Sequence, residues 1–236
     1  ALGGAAAEWG RRRSLNGLSG PRRFLAGTAS GVLVAGFEHP PALAVPWNPP
    51  YYDALLTGSG MIKELDLLSA FVDLNLAVPV ATRQAATALM TELGLSRFSH
   101  SSRRAMWRAR MTLVRLYTQS FAGQPGFCPL TDPEMRLMAR GMALIADPDI
   151  VFYVKRGEEI VAFMSLLPDV TAGIRRSRGR VFPVGWWHIL REVHRTALVD
   201  IHIFGVVPEY RGTGMNVVAY TFLAALKALK SKAPSR

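Results

Sequence analysis

The fold of this chain is decided by residues 199–230, VDIHIFGVVPEYRGTGMNVVAYTFLAALKALK. The first part of this stretch alternates between two sets of side chains with a period of two, which predicts a β-strand. The strand is expected to end before Pro208, because proline cannot donate a hydrogen bond to a neighbouring strand. Two glycines come next, and then an apolar segment almost free of helix breakers. We therefore predict a strand, a tight turn and a long helix.

The alternation assigns residues to the two faces of the predicted strand. One face is expected to carry Val199, Ile201, Ile203 and Val207, and the other Asp200, His202, Phe204 and Val206. Asp200 and His202 would then share a face just ahead of the turn, where both side chains could reach one cleft.

The turn Arg211-Gly212-Thr213-Gly214 has the composition of a phosphate-binding loop. Glycines let the backbone turn sharply and bring unpaired N–H groups close to a ligand. The start of the following helix adds about half a positive charge, and Arg211 adds a full one. A pyrophosphate is the expected ligand of this turn. The alternative is a structural turn that binds nothing.

The ordered set VVPEYRGTG at residues 206–214 resembles the acyl-CoA-binding motif of the GNAT superfamily of N-acetyltransferases, Q/R-x-x-G-x-G/A. Arg211 to Gly214 fill the first four positions and Met215 the fifth. Asn216 stands at the sixth, where the superfamily usually has Gly or Ala. The resemblance implies that residues 211–216 hold the pyrophosphate. It also implies that backbone groups of Phe204, Val206 and Val207 receive the pantetheine arm.

Several segments further upstream resemble a bacterial subfamily with two tandem GNAT-like halves. They are Gly20-Pro21, Gly31 to Phe37, Asn48-Pro49-Pro50-Tyr51-Tyr52 and Asp66 to Leu68. The resemblance implies an α/β fold, with a GNAT-like mixed sheet flanked by helices. Residues 1–76 would be the C-terminal part of a first half, residues 77–110 a basic helical linker, and residues 111–236 a C-terminally truncated second half. We accordingly expect the chain to be a fragment, with part of the acyl and acceptor site outside it.

Local patterns predict the remaining elements. Helices are expected at Ala5–Arg13, Tyr51–Thr57, Thr82–Leu93, Met111–Phe121 and Thr131–Ile145. Strands are expected at Gly31–Phe37, Ala42–Trp47, Leu65–Leu76, Ile150–Lys155 and Ile160–Leu167, the last two forming a hairpin.

The charge balance narrows the class of partner. The chain has 28 basic and 17 acidic residues, a net charge of +11, which suits a CoA-type ligand, a membrane surface or a nucleic acid. Arginines around Trp107 invite the nucleic-acid interpretation, but no recognition motif accompanies them, so a solvated linker or an anion-facing helix is preferred. The single cysteine, Cys128, allows no internal disulfide and predicts a reducing, cytoplasmic location.

Residues 171–196 combine arginines with Trp186 and Trp187. Such a segment can settle at a membrane interface, here the inner face, or cover a lipid-like substrate. The alternative is a lid helix that packs on its own domain. Asn48, Tyr51 and Tyr52 are likewise candidates for substrate contact or for packing between the halves. No apolar run reaches the roughly 18 residues that a membrane span needs, and no metal site is expected.

The resemblance implies a CoA-dependent N-acyltransferase whose acceptor is a small-molecule or lipid amine. Some bacterial relatives of the tandem type are associated with long-chain acyl transfer to sphingoid bases. An alkylammonium with a pKa near 10.4 must lose a proton first, at a cost of roughly 4 kcal/mol at neutral pH. Asp200 and His202 are the candidate bases, and histidine has the better pKa. The alternative is that either is a satisfied polar residue beneath the lid. The alternative is a non-catalytic module that binds acyl-CoA or an anionic lipid surface.

Overall fold

The structure is a computed structural model. It describes residues 2–22, 30–41, 45–70, 73, 78–124, 127–145, 148–180, 182–196 and 198–222. The described residues form two compact units. The first unit contains those of 1–70 and 170–195, and the second contains those of 71–169 and 196–236.

The helices are α1 (Leu2–Arg11), α2 (Tyr52–Gly58), α3 (Val80–Glu92), α4 (Arg103–Phe121), α5 (Asp132–Ile145), α6 (Thr171–Arg176) and α7 (Gly185–Val193). The strands are β1 (Leu95–Phe98), β2 (Val151–Arg156), β3 (Glu159–Pro168) and β4 (Val199–Val206). Residues 208–210 form a 3₁₀ turn, and residues 215–222 are helical.

The second unit is built on a four-stranded antiparallel sheet in the order β1-β2-β3-β4. Residues 161–167 of β3 are all buried, as expected for an apolar strand that lies between two others and is covered on both faces. The described strand pairs are all antiparallel, so the parallel pairing that a mixed sheet also contains is not among them. The β2–β3 hairpin was predicted correctly to within one residue at each end.

Helices cover both faces of this sheet. The strand register puts Tyr153 and Phe163 on one face with Gly205, and α4 packs there beside Gly205. On the other face, the ring of Phe152 stacks on Phe222 of the helical residues 215–222, with centroids 5.3 Å apart. The predicted α/β class, a GNAT-like sheet flanked by helices, is therefore confirmed.

The central helices begin at capping residues. At the start of α4 the Ser102 hydroxyl accepts a hydrogen bond from the Ala105 N–H at 3.2 Å. At the start of α5 the Glu134 carboxylate accepts from the Thr131 N–H at 2.8 Å and from its hydroxyl at 2.6 Å. The helix predicted from Thr131 to Ile145 is confirmed, whereas α4 begins eight residues earlier than the predicted start at Met111.

Three predicted strands of the first unit are wrong wherever the structure describes them. Residues 31–37, 45–47 and 65–70 are irregular, and Val34 and Trp47 are more than half exposed. Gly31 and Gly36 have φ of +85° and +83°, which interrupts an extended backbone. Residues 42–44, 71–72 and 74–77 lie outside the described residues. Apolar runs alone do not make strands without partners to pair with.

Strand β1 was not predicted, because its sequence Leu-Ser-Arg-Phe falls in the segment interpreted as a basic helical linker. No helix of the described residues is long and apolar enough to cross a membrane.

Candidate functional site

Strand β4 contains a β-bulge at His202. Ser165 of β3 pairs with Ile203 and the next residue, Leu166, pairs with Ile201, so His202 has no partner on β3. Ile201 and Ile203 consequently lie on opposite faces of the sheet. Ile201 is 48% exposed and Ile203 is 6% exposed. The prediction that both lie on one face is wrong, because simple alternation does not hold across a bulge.

Because of the bulge, alternation no longer predicts that Asp200 and His202 lie on the same face of the sheet. Asp200 is opposite Leu167, which puts it on the same face as Ile203. Burial lowers the pKa of His202, and the nearby Asp200 carboxylate acts in the opposite direction. The imidazole is therefore neutral at neutral pH and able to accept a proton. The charge of Asp200 therefore still acts on the His202 imidazole, even though strand alternation does not place the two side chains on one face.

The backbone beyond the bulge was predicted to receive the pantetheine arm. Among the described strands, β4 pairs with β3 only, which leaves its other edge free of a described partner. Phe204 and Val206 are partly exposed on this strand. Val207 is 5% exposed, and its N–H donates to the Val161 carbonyl at 3.0 Å, so that N–H is already used within the protein.

The turn after β4 has the conformation that its glycines allow. Gly212 and Gly214 have φ of +76° and +88°, values that side chains with a Cβ rarely adopt. The Thr213 hydroxyl donates to the Tyr210 carbonyl at 2.8 Å and fixes the middle of the turn. A Cβ at Gly212 would meet nothing within 4 Å, so the turn borders open space.

The same turn presents backbone N–H groups. The hydrogen bonds among the described residues do not use the N–H of Gly212, Thr213, Gly214 or Met215. Met215 begins the helical residues and its side chain is buried, whereas Asn216 beside it is exposed. Unpaired N–H groups at the start of a helix favour an anion. Both features are ones that a phosphate loop needs, and phosphate binding by this turn stays a prediction.

Arg211 makes a contact that the sequence did not predict. Its Nη2 donates to the Ser120 carbonyl at 2.8 Å and to the Ala122 carbonyl at 3.4 Å, at the C-terminal end of α4. An arginine at this position satisfies carbonyls that the helix leaves unpaired and complements the helix dipole. Arg211 therefore ties the turn to α4, in addition to its predicted charge toward a phosphate.

A buried hydroxyl lies at this junction. Ser120 is 3% exposed, and within the described residues its Oγ has no hydrogen-bond partner. A Cβ added at Gly205 would lie 3.0 Å from the Ser120 Cβ, so β4 and α4 touch here without space between them. No local sequence signal identifies this junction, because it depends on how α4 packs on the sheet.

The remaining candidate residues lie in the first unit. Asn48 is 7% exposed, and its amide accepts from the Leu33 N–H at 2.7 Å and donates to the Leu33 and Pro49 carbonyls. Its side chain therefore organises the backbone around it. Tyr51 and Tyr52 are 59% and 41% exposed, with ring centroids 5.2 Å apart.

Trp186 and Trp187 lie on α7, and both are exposed, at 45% and 55%. A lid helix packed on its own domain would have buried both tryptophans. Their exposure therefore favours the other two interpretations, a membrane interface or a cover over a lipid-like substrate. Among the described residues, no three His, Cys, Asp or Glu side chains are grouped so that they could hold a metal ion.

Comparison with known proteins gives distant relatives only. No protein-family model matches the chain, and no solved structure matches it significantly. The chain is 26% identical over 233 residues to Protein YghO of Escherichia coli strain K12, covering 96% of the chain and 58% of that protein. It is 26% identical over 192 residues to the bacterial ceramide synthase of Caulobacter vibrioides, covering 79% of the chain and 48% of that protein. The chain thus spans about half the length of these curated relatives.

Proposed function

We propose that this chain is part of an acyl-CoA-dependent N-acyltransferase of the GNAT type whose acceptor is a long-chain amine. The observation that carries the proposal is the turn at residues 211–215, whose N–H groups are unpaired within the described residues and which follows the bulged strand β4 and its 3₁₀ turn. Similarity to a protein named as a bacterial ceramide synthase supports a lipid amine as the acceptor.

The turn fits the pyrophosphate of acyl-CoA in three respects. Its N–H groups from Gly212 to Met215 are unpaired within the described residues, and Gly212 borders open space. The helix that starts at Met215 contributes a positive partial charge. Asn216, where a small residue is usual in the superfamily, is exposed and can donate a hydrogen bond. Bound acyl-CoA would supply the acyl group as an activated thioester.

His202 is the proposed base toward the amine. Burial lowers its pKa and keeps the imidazole neutral at neutral pH, so it can accept the proton that an alkylammonium must lose. The Asp200 carboxylate raises the pKa of His202 against that effect and would stabilise the protonated imidazole.

Calorimetric titration of acetyl-CoA and of a long-chain acyl-CoA tests the turn. We expect micromolar binding by the parent chain and at least a tenfold loss in Gly214→Val, because valine is strained at φ +88°. Gly157→Val is the matched control, since Gly157 also has positive φ, +58°, but lies in the β2–β3 hairpin. Equal binding by the parent and Gly214→Val, or no binding by the parent, would contradict the proposal.

Release of free CoA thiol in the presence of a long-chain amine separates an enzyme from a binding module. For an enzyme, His202→Gln should lose turnover while acyl-CoA binding is retained. Binding without turnover in the parent would favour the second candidate, a non-catalytic acyl-CoA-binding module. Arg211 does not distinguish the two candidates, because both need the acyl-CoA phosphates to be held and its guanidinium is engaged with α4 carbonyls in this structure.

A further inference from the structure

Helices α6 and α7 form a closely packed pair, here called the α6–α7 hairpin (residues 171–193). One glycine lies where the two helices approach each other and another where α7 meets the segment before it, and neither leaves space for a side chain. A Cβ at Gly173 would lie 2.7 Å from the His188 carbonyl oxygen, and a Cβ at Gly185 would clash with the Arg180 carbonyl oxygen. Gly173 and Gly185 are both buried. The hairpin is therefore held together by backbone contact.

Polar contacts reinforce this packing. Arg176 of α6 forms an ion pair with Glu192 of α7, and the Glu192 side chain is only 12% exposed. The Ser177 hydroxyl donates to the Ile174 carbonyl at 2.7 Å, at the end of α6. The Trp186 indole N–H donates to the Pro183 carbonyl at 2.8 Å. These bonds fix α7 and the segment before it in one orientation.

The side of α7 away from α6 is apolar and exposed. Trp186, Trp187 and Leu190 are 45%, 55% and 49% exposed, and Phe182 and Val184 just before the helix are 80% and 63% exposed. We call these five residues the tryptophan face. The two indole rings meet edge to face with centroids 6.1 Å apart. Since the Trp186 N–H is already bonded within the hairpin, its ring can be buried in an apolar layer without an unpaired donor.

The segment that carries the tryptophan face is strongly positive. Residues 171–195 contain six arginines and one acidic residue, Glu192, which is paired with Arg176. The exposed arginines other than Arg176 are Arg175, Arg178, Arg180, Arg191 and Arg195. Aromatic residues flanked by arginines are the composition of surfaces that lie in the interface of an anionic bilayer.

We propose that the α6–α7 hairpin docks on the surface of an anionic lipid bilayer. The tryptophan face enters the boundary between headgroups and acyl chains, while the arginines contact anionic headgroups. Charge favours a bilayer over a second copy of the chain, because a symmetric pairing through this face would bring the arginines of both copies together. The fixed packing of the hairpin lowers the entropic cost of ordering it on binding. This inference does not depend on the proposed acyl transfer.

Co-sedimentation of the chain with lipid vesicles tests the role of the tryptophans. We expect binding to phosphatidylcholine vesicles that contain about a third phosphatidylglycerol, and much weaker binding to pure phosphatidylcholine. Trp186→Ala/Trp187→Ala should weaken binding by roughly tenfold or more. Trp9→Ala/Trp47→Ala is the matched control, since Trp9 and Trp47 lie in the same unit and are at least as exposed as the tested pair, at 55% and 59%. Equal loss in both double variants would overturn the proposal.

Substitution of arginines tests the role of charge. Arg180→Gln/Arg191→Gln should weaken binding by roughly fivefold for each charge removed, and added salt should weaken it further. Arg104→Gln/Arg108→Gln removes two exposed charges from α4 instead and should have a smaller effect. Equal effects of the two arginine variants, or equal binding to neutral vesicles, would contradict the proposal.

Two further outcomes would assign the tryptophan face to another occupant. A concentration-dependent dimer that Trp186→Ala/Trp187→Ala abolishes, measured by sedimentation velocity, would make the face a contact between copies. If the same double variant lost long-chain acyl-CoA binding but still bound vesicles, the tryptophan face would be a cover for a lipid-like substrate. Circular dichroism of each variant verifies that the helices remain folded. Calorimetric titration with acetyl-CoA reports on the turn at residues 211–215 separately, so failure of one proposal is distinguishable from failure of the other.

Discussion

At the scale of single residues, Gly205 is the position where β4 and α4 come closest. A Cβ built on Gly205 would lie 2.4 Å from the Phe163 Cε1 and 3.0 Å from the Ser120 Cβ. Phe163 is fully buried, so its ring has no free space into which it could move. The close approach of α4 to the sheet therefore requires glycine here.

We predict that Gly205→Ala lowers the free energy of unfolding of the second unit by about 1–3 kcal/mol, the usual cost of overpacking a core. Denaturant unfolding followed by fluorescence and circular dichroism measures this. Gly4→Ala in α1 is the control, since a Cβ there meets nothing within 4 Å. Unchanged stability in Gly205→Ala would mean that α4 is not held against β4 as described.

His202 gives a prediction about the pH dependence of turnover. Its pKa lies below the ordinary value of 6.5 because of burial, so the rate should fall as the pH decreases through that lowered pKa. Asp200→Asn removes the charge that raises the pKa of His202 and should move the acidic limb to lower pH. A profile of kcat/KM against pH measures both effects. A shift to higher pH in Asp200→Asn, or an unchanged limb in His202→Gln, would exclude His202 as the base.

At the scale of secondary-structure elements, two arginines join helices to neighbouring segments through backbone carbonyls. Arg211 in the turn donates to Ser120 and Ala122 at the end of α4. Arg97 on β1 donates to the Thr221 carbonyl at 2.8 Å, within the helical residues 215–222. The two contacts are of the same kind, but only the first involves the predicted phosphate loop.

We predict that Arg211→Ala and Arg97→Ala each reduce the unfolding free energy by about 1 kcal/mol, because each removes a charged donor from backbone carbonyls at an exposed or partly buried site. Only Arg211→Ala should also weaken acyl-CoA binding and speed amide hydrogen exchange at the end of α4. Calorimetry and hydrogen exchange on both variants test this. If Arg97→Ala lost acyl-CoA binding to the same extent, the loss in Arg211→Ala would be due to reduced stability and not to the phosphate loop.

Elements with strong local signals were predictable from the sequence. The helix from Thr131 to Ile145 has its capping residues in the sequence itself, and the β2–β3 hairpin has a glycine turn, with Gly157 at φ +58°. Strand β1 was missed because four residues with two polar side chains resemble a linker. The bulge at His202 was missed because it exists only in the pairing of β4 with β3, which local sequence does not encode.

At the scale of the whole molecule, the positions of the candidate site residues were predicted only in part. The strand, the turn and the start of the helix follow from residues 199–216, whose patterns are local. The contact of Arg211 with α4 joins residues 91 and 89 positions apart in the sequence, and no spacing rule predicts it. The assignment of strands to residues 31–37 and 65–70 failed because apolar composition does not specify a pairing partner.

The second unit should lose stability on mild acidification. Burial lowers the pKa of both His100 and His202, so the unfolded chain binds protons more readily than the folded one. The stability is fully present above the ordinary histidine pKa of about 6.5 and is lost as the pH falls below it. The Glu134 carboxyl, whose pKa is lowered by Thr131, affects stability only in the more acidic window below 4.5.

Denaturant unfolding at about pH 8 and about pH 5.5 measures this loss. The double variant His100→Gln/His202→Gln should show a smaller difference between the two pH values than the parent. His194→Gln, an exposed histidine of the first unit, is the control for substitution itself. A parent that is equally stable at both pH values would contradict the prediction.

The bulge at His202 also determines how this strand can be compared between homologues. One additional residue reverses the facing of every side chain that precedes it on β4. A homologue that lacks the residue equivalent to His202 would therefore present the neighbours of position 200 to opposite sides of the sheet. An alignment without a gap at this position would equate residues that never occupy the same place. Function can be transferred between such proteins only after the gap is placed by strand pairing.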